Sequence, residues 1–225
     1  AINPNARSEA ALLDAERRER GIRGPLHGVP LILKDNFHTT DMPTTAGSEL
    51  LAGFIAPDDA AVVRRLRDAG AILLAKANMH EWAYGITNVG SGFGFTRNPY
   101  APNRNPGGSS GGVAVAVTAN FAVAGVGTDT CGSVRIPAAH NNLIGLRPTQ
   151  GLLSRRGIVP LSHTQDVPGP MARSVTGVTL LLEALAGVDP DDAQTAESYG
   201  RPVERYTEGL NPLALNGARI GILED

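Results

Sequence analysis

The spacing of apolar residues in the first half of the chain predicts alternating helices and strands. Residues 58–69 place valines and a leucine on one face of a helix and arginines on the other. Gly70 ends this helix, and the apolar run Ala71–Ala75 predicts a buried strand. An earlier helix is expected from Ser8 to Arg20, with a start that resembles a capping box. The order of helix, glycine and strand is typical of an α/β fold.

The central segment Asn105–Ala139 contains two glycine clusters with a serine in each, Ser109 and Ser133. Glycines around a serine remove side chains, so that backbone N–H groups and the hydroxyl can converge on a small target. Between the clusters, Val113–Ala122 predicts a buried helix and Phe121–Val126 a buried strand. Loop, helix, strand and loop would bring the two serines close together.

Other interpretations of the first cluster fit its surroundings less well. An isolated GGSSGG sequence is most often a flexible linker, but here an Asn-Pro pair precedes it and an apolar helix follows. A phosphate-binding P-loop would carry a lysine after the glycines, and none is present. The Gly-x-Ser-x-Gly pattern of other serine hydrolases is absent around both serines. The pattern therefore indicates a serine site without an obvious histidine partner.

A lysine at the end of a predicted buried strand, Gly28–Asn36, is the candidate base. Burial disfavours the ammonium form and lowers the pKa, so the neutral amine of Lys34 can accept a proton. A surface lysine at a strand end is the commoner case, and Lys76 ends the next strand in the same way. A Ser-His-Asp site that uses His163 and Asp166 also stays open, because triads are assembled in space.

Composition narrows the classes of protein. The 225 residues are 42% hydrophobic, and the net charge of −2 gives no basic surface for nucleic acid or membranes. The single cysteine excludes an internal disulfide and fits a reducing, cytoplasmic compartment. The five histidines show no metal-ligand spacing, so neither a metal nor another cofactor is expected. No signal peptide or membrane-spanning run is visible.

Several motifs in order resemble the amidase signature family of serine hydrolases: GPLHGVPLILKDN, PGGSSGG, GTDTCGSVRIPAA and GLRPTQGLLSRRGIVPLSHTQDVPGPMARSV. The resemblance implies an α/β fold with a mixed β-sheet covered by helices on both faces. It also implies that Lys34 is the base, that Ser109 is a bridging serine entered through a cis peptide bond, and that Ser133 is the nucleophile. The backbone of Thr130, Cys131, Gly132 and Ser133 would form the oxyanion hole.

The same resemblance guides expectations about the substrate. The pocket for the amide is expected near Trp82, Ala83 and Gly108, although packing is the simpler role for the tryptophan. Family members often have glycine where Cys131 stands, so the cysteine is expected to restrict the oxyanion turn and to place a thiol beside the nucleophile. Asp129 and Arg135, which flank the nucleophile, are expected to form structural hydrogen bonds.

The expected function is hydrolysis of a small-molecule or peptide carboxamide through an acyl-enzyme. The motif SHTQDVPGPMARSV resembles stand-alone amidases, including peptide amidases, more than the glutamyl-tRNA amidotransferase subunit. An amidotransferase-type glutaminase subunit and a non-catalytic fragment stay open as alternatives, and so does a homodimer. A fluorophosphonate probe would separate the catalytic classes from the inactive one.

The last third of the chain predicts fewer regular elements. An amphipathic helix is expected over Ala172–Leu185, a polar surface excursion over Asp189–Asn211, and the start of a strand at Ala218–Leu223. Because family members are roughly twice this length, residues 1–225 are interpreted as one amidase signature domain that lacks sequence at both ends.

Overall fold

The computed structural model describes residues 1–222 and has a five-stranded mixed sheet at its centre. The strand order is β2-β1-β5-β7-β6, in which β1 pairs in parallel with β2 and β5 while β7 pairs antiparallel with β5 and β6. A separate hairpin joins β3 and β4. The strands are β1 (Pro30–Lys34), β2 (Ile72–Ala77), β3 (Val89–Gly90), β4 (Gly94–Phe95), β5 (Ala124–Asp129), β6 (Ile144–Gly145) and β7 (Val167–Ala172).

Helices pack on both faces of the sheet, as predicted. They are α1 (Ala6–Arg20), α2 (Ala61–Asp68), α3 (Gly111–Thr118), α4 (Arg135–His140) and α5 (Val175–Leu185). Successive side chains of β1 point to opposite faces. Leu31 and Leu33 therefore join one core cluster with α2 and α5, whereas Ile32 joins a second cluster with α3. This alternation also directs the last residue of β1, Lys34, to the α3 face.

Glycines in β5 allow α3 to lie unusually close to the sheet. A Cβ on Gly125 would lie 2.5 Å from Val113 Cγ1, and a Cβ on Gly127 would lie 2.5 Å from Ser110 Oγ. These separations are shorter than any side chain tolerates. The small residues of β5 thus let the serine-containing turn before α3 rest directly on the strand.

Three predicted boundaries were wrong for local reasons. Helix α1 begins at Ala6 after Asn5, and the Ser8 hydroxyl donates to Asn5 O at 2.8 Å instead of forming a capping box. Helix α3 ends at Thr118, and Asn120 adopts a left-handed φ of 62° that cannot continue a helix. The following strand starts at Ala124, because Phe121 lies outside the core and is 70% exposed.

Strand β7 replaces the start of the helix that was predicted from Ala172. Its sequence contains Pro168 and Pro170, and prolines normally argue against a strand inside a sheet. The Leu146 N–H donates to Pro170 O at 3.1 Å, so the backbone groups of both prolines face the β6 side. Strand β6 has only two residues, and the bonds between β7 and β5 are unaffected. Helix α5 then starts at Val175, with the Ser174 hydroxyl as its cap.

The C-terminal part is more firmly attached than a surface excursion. Within it, 3-10 helices span Ala193–Ser198 and Tyr206–Gly209, and Asp189, Asp192 and Thr195 are buried. The strand predicted from Ala218 is absent as far as Ile222, where the chain is exposed and pairs with no described strand, and the rest of that prediction lies outside the described residues. Within residues 1–222, no helix has the length and apolar character needed to cross a membrane.

Candidate active site

Lys34 lies at the end of β1 with its side chain completely buried. Its Nζ is 2.6 Å from Ser109 Oγ, 2.7 Å from Thr128 Oγ1 and 3.4 Å from Thr128 O. Burial lowers the pKa of Lys34 to about 7, although the carboxylates of Asp166 and Asp129 act in the opposite direction. The strand-end position therefore produces the environment in which an amine can be neutral near neutral pH.

Ser109 is buried in the turn before α3, and the peptide bond from Gly108 to Ser109 is cis. The His80 N–H donates to Ser109 O at 3.0 Å. A Cβ on Gly108 would lie 2.9 Å from the carbonyl carbon of Ile86 and 3.0 Å from Gly85 O. Only glycine fits at this position, because the backbone of the 85–88 segment lies against it.

The other side chain in contact with Lys34 is that of Thr128, which lies in the motif GTDTCGSVRIPAA but was not among the predicted site residues. Its Oγ1 accepts a hydrogen bond from Asn36 Nδ2 at 3.1 Å in addition to the contact with Lys34. A hydroxyl oxygen has two lone pairs, and the Asn36 amide occupies one of them. The remaining lone pair suits an N–H donor on Lys34, which leaves the amine lone pair free to face Ser109.

The second serine cluster forms a tight turn beside the first one. The Ser110 N–H donates to Ser133 O at 3.1 Å, and Ser133 is buried. No hydrogen bond joins the hydroxyls of Ser109 and Ser133 within residues 1–222. The backbone contact therefore brings the two serine loops together, while the hydroxyl-to-hydroxyl link of the expected relay is not formed.

Asp129 organises the turn that contains Ser133. Its carboxylate accepts hydrogen bonds from the N–H groups of Gly132 (2.8 Å), Val134 (3.0 Å) and Arg135 (3.3 Å). It also pairs with the guanidinium groups of Arg135 at 3.1 Å and Arg147 at 3.4 Å. Burial would raise the pKa of Asp129, but these hydrogen bonds outweigh it and lower the pKa. The structural role expected for Asp129 and Arg135 agrees with these contacts.

These contacts bear on the expected oxyanion hole. The Gly132 N–H already donates to Asp129, which leaves the N–H groups of Thr130, Cys131 and Ser133 as the remaining candidates. The Thr130 hydroxyl donates to Asp166 Oδ1 at 2.6 Å and fixes the start of the turn. Cys131 is exposed, with a free thiol.

The alternative Ser-His-Asp site lacks the hydrogen bond between His163 and Asp166 on which it depends. Asp166 accepts hydrogen bonds from Thr130 and from the N–H groups of Leu161 and Ser162 at 2.8 and 3.0 Å. His163 is exposed, and its ring makes no hydrogen bond to Asp166 within residues 1–222. The carboxylate is therefore occupied by the loop and by Thr130.

The remaining predicted residues lie in the segment next to Ser109. Trp82 and Ala83 adopt left-handed φ values of 53° and 59°, and the Trp82 N–H donates to Ala46 O at 2.8 Å. The Trp82 side chain is 36% exposed, so the ring is available to a bound molecule. Gly108 is buried, and the part of this segment that lies against it is Gly85–Asn88.

Lys76 has a different environment from Lys34. Its Nζ lies 3.3 Å from Asp35 Oδ1 and donates to Thr44 Oγ1 at 3.0 Å. Burial lowers the pKa of Lys76, and the Asp35 carboxylate opposes this effect. Lys76 thus lies in an ion pair, and no serine is among its hydrogen-bond partners in residues 1–222. Among the described residues, no group of three or more His, Cys, Asp or Glu side chains could hold a metal ion.

A buried lysine that is hydrogen-bonded to a serine is typical of the Ser-Lys variants of the catalytic triad, in which lysine replaces histidine as the base. The chain belongs to the amidase family, whose model, Amidase, matches residues 1–225.

Two solved structures and one curated sequence illustrate the relationship. Peptide amidase from Stenotrophomonas maltophilia is 52% identical with a TM-score of 0.93, over 96% of this chain and 45% of that one. An amidase family protein from Bacillus anthracis is 42% identical with a TM-score of 0.90, over 93% and 43%. A glutamyl-tRNA(Gln) amidotransferase subunit of Thermobifida fusca is 45% identical over 98% of this chain and 44% of its own length. The chain thus spans less than half the length of these relatives.

Proposed function

We propose that the protein hydrolyses carboxamides, with Lys34 as base, Ser109 as bridging serine and Ser133 as nucleophile. The observation that carries this proposal is the 2.6 Å contact between Ser109 Oγ and the buried Lys34 amine, whose pKa is about 7. An amine with this pKa is a competent proton acceptor at neutral pH. Thr128 supports the role, because its hydroxyl contacts the amine while the Asn36 amide orients that hydroxyl.

In the proposed reaction, the hydroxyls of Ser133 and Ser109 form a hydrogen bond when substrate binds, and the proton then moves towards Lys34. Lys34 accepts the proton of Ser109, Ser109 accepts the proton of Ser133, and Ser133 Oγ bonds to the carbonyl carbon. The carbonyl oxygen becomes an oxyanion that the free N–H groups of the nucleophile turn stabilise, a contribution of about 3–4 kcal/mol per donor in comparable sites. The carbon–nitrogen bond then breaks, and the leaving nitrogen takes the relayed proton. Water attacks the acyl-enzyme and releases the carboxylate.

The substrate class that we favour is a peptide amide or another small amide, processed by a stand-alone enzyme. The support is the 52% identity and the TM-score of 0.93 with peptide amidase. The competing function is that of a glutaminase subunit, favoured by the 45% identity with the Thermobifida fusca amidotransferase subunit. A peptide amidase would release ammonia from amidated peptides without other proteins, whereas an amidotransferase subunit would copurify with two partners and act on glutamine.

A fluorophosphonate probe tests the chemistry independently of the substrate. The full-length protein should acquire one covalent adduct, visible by mass spectrometry, and Ser133→Ala should not acquire it. Ser174→Ala, a serine that caps α5 and belongs to neither serine loop, is the matched control and should label normally. An adduct retained in Ser133→Ala would move the nucleophile to another residue, and no labelling of the wild type would contradict the proposed function.

A further inference from the structure

The first turn of α3 is capped by residues from outside the helix. Its N-cap residue, Ser110, makes no side-chain capping bond, because its hydroxyl lies 3.2–3.3 Å from the backbone of Thr128 in β5. The Gly111 N–H donates instead to Asn88 Oδ1 at 2.8 Å, and the Gly112 N–H donates to Asn78 O at 3.1 Å. The N–H groups that need acceptors at this helix terminus thus donate to residues outside the helix.

One hydroxyl joins the two asparagines. Thr96 Oγ1 lies 2.6 Å from Asn88 Nδ2 and 3.0 Å from Asn78 Nδ2, so both amides donate to it. Asn88 is completely buried and adopts a left-handed φ of 62°. A Cβ on Gly111 would lie 2.7 Å from Asn88 Oδ1, so this contact requires glycine in the helix.

The network lies beside Ser109, which is two residues before the helix. The His80 N–H donates to Ser109 O at 3.0 Å, and a Cβ added to Gly108 would lie 3.1 Å from the Asn88 nitrogen, so the Asn88 backbone packs against Gly108. Asn88 therefore contacts the chain on both sides of Ser109. We propose that Asn88, supported by Thr96 and Asn78, is a positioning residue that fixes Ser109 at bonding distance from Lys34.

This inference rests on the proposed function, since its effect on rate requires that Ser109 transfers protons. Displacing a relay group by about 1 Å costs on the order of 100-fold in rate. Asn88→Ala leaves the Gly111 N–H without its acceptor, so kcat should fall about 10- to 100-fold while KM changes less than threefold. Asn88→Asp retains the acceptor oxygen near the helix N-terminus, and its kcat should stay within about fivefold of the wild type.

Ser174→Ala is the matched control. Ser174 caps α5 by accepting the Gly177 N–H at 3.1 Å, on an element that does not carry the serines. Its loss should lower the melting temperature and leave kcat and KM unchanged. If Asn88→Ala does not fold, Thr96→Val removes the shared acceptor at constant volume and should lower kcat about tenfold.

Amide hydrogen exchange gives a readout that does not depend on activity. Protection of the Gly111 N–H should decrease in Asn88→Ala and stay unchanged in Ser174→Ala. If Asn88→Ala folds and keeps either the wild-type kcat or the wild-type protection of the Gly111 N–H, the inference is wrong. If only Thr96→Val folds, a wild-type kcat in that variant contradicts the inference in the same way. If the wild type fails to react with the fluorophosphonate, the proposed function fails, and the exchange result still decides whether Asn88 fixes this turn.

Discussion

At the scale of single residues, the environment of Lys34 favours chemistry over stability. The amine is completely buried, and burial lowers its pKa to about 7. The unfolded chain holds the same group at a pKa of about 10.4. Folding therefore destabilises the protonated form of the Lys34 amine. The same lowered pKa allows the amine to act as a base near neutral pH.

The dependence of the rate on pH should show this pKa directly. Below pH 7 the protonated Lys34 cannot accept the Ser109 proton, so kcat/KM should fall about tenfold for each further pH unit. Above about pH 7 the profile should be flat until other groups titrate. Steady-state kinetics from pH 5 to 9 with one amide substrate measure the profile. A flat profile through pH 6 would contradict Lys34 as the base.

Stability reports the same pKa without any substrate. Between pH 7 and about 10.4 the unfolded state binds the proton that the folded state lacks, so the free energy of unfolding rises with pH in that window. From pH 7 to 9 the wild type should gain about 2 kcal/mol relative to Lys34→Met, which has no amine to titrate. Urea unfolding of both proteins at the two pH values measures the difference, and parallel changes would refute the lowered pKa.

Some of these residues were easier to predict from the sequence than others. Lys34 was a candidate because it ends a strand pattern, but Lys76 ends the next one in the same way, and the resemblance of the motif GPLHGVPLILKDN is what favoured Lys34. The contributions of Thr128 and Asn88 were not predicted, because their contacts join residues that are far apart in the chain. A threonine in a strand and an asparagine in a loop have many ordinary roles, and only their position in space distinguishes these two.

At the scale of elements, the close packing of α3 on β5 is what places the serine turn over Lys34. Gly127 is as close a point of this packing as Gly125, since a Cβ there would lie 2.5 Å from Ser110 Oγ and 2.7 Å from Ser110 Cβ. The Ser110 hydroxyl bonds to the backbone of Thr128, so the helix terminus and the strand cannot separate without loss of these bonds.

Gly127→Ala should therefore damage both stability and the site. The added methyl forces Ser110 away from β5, with an expected loss of about 1–3 kcal/mol in the free energy of unfolding. Fluorophosphonate labelling should slow at least tenfold, because Ser109 moves with Ser110. Gly24→Ala is the matched control: a Cβ there meets nothing within 4 Å, and both quantities should stay close to the wild type. Equal behaviour of the two variants would contradict this role of the packing.

Helices and strands with a clear hydrophobic period were predicted from the sequence. Elements whose existence depends on tertiary contacts were not. The buried face of α2 and the strands β1 and β2 follow from their sequences alone. Strand β7 was missed because two prolines conceal it, and they are tolerated only because their backbone faces the short strand β6. That condition depends on the sheet order, which the local sequence does not contain.

At the scale of the whole molecule, the segment after α5 is fixed to the body by buried charges. Asp192 receives the Arg155 backbone N–H at 2.8 Å, together with the guanidinium at 2.7 and 3.1 Å. Asp189 accepts the Ser154 hydroxyl at 2.6 Å. The Arg155 guanidinium also contacts His163 O, so the same anchor reaches the loop that holds Asp166. The polar composition of this segment suggested a solvated loop, yet its aspartates form internal bonds.

Removing the anchor should destabilise the whole fold. Asp192→Ala leaves the largely buried Arg155 guanidinium without its partner, and breaking a buried pair in this way costs roughly 3 kcal/mol. Asp191→Ala is the matched control one residue away, since its carboxylate is 63% exposed, lies 3.4 Å from Arg156 and should contribute less than about 0.5 kcal/mol. Urea unfolding measures both losses. Similar small losses in the two variants would contradict the anchoring role of Asp192.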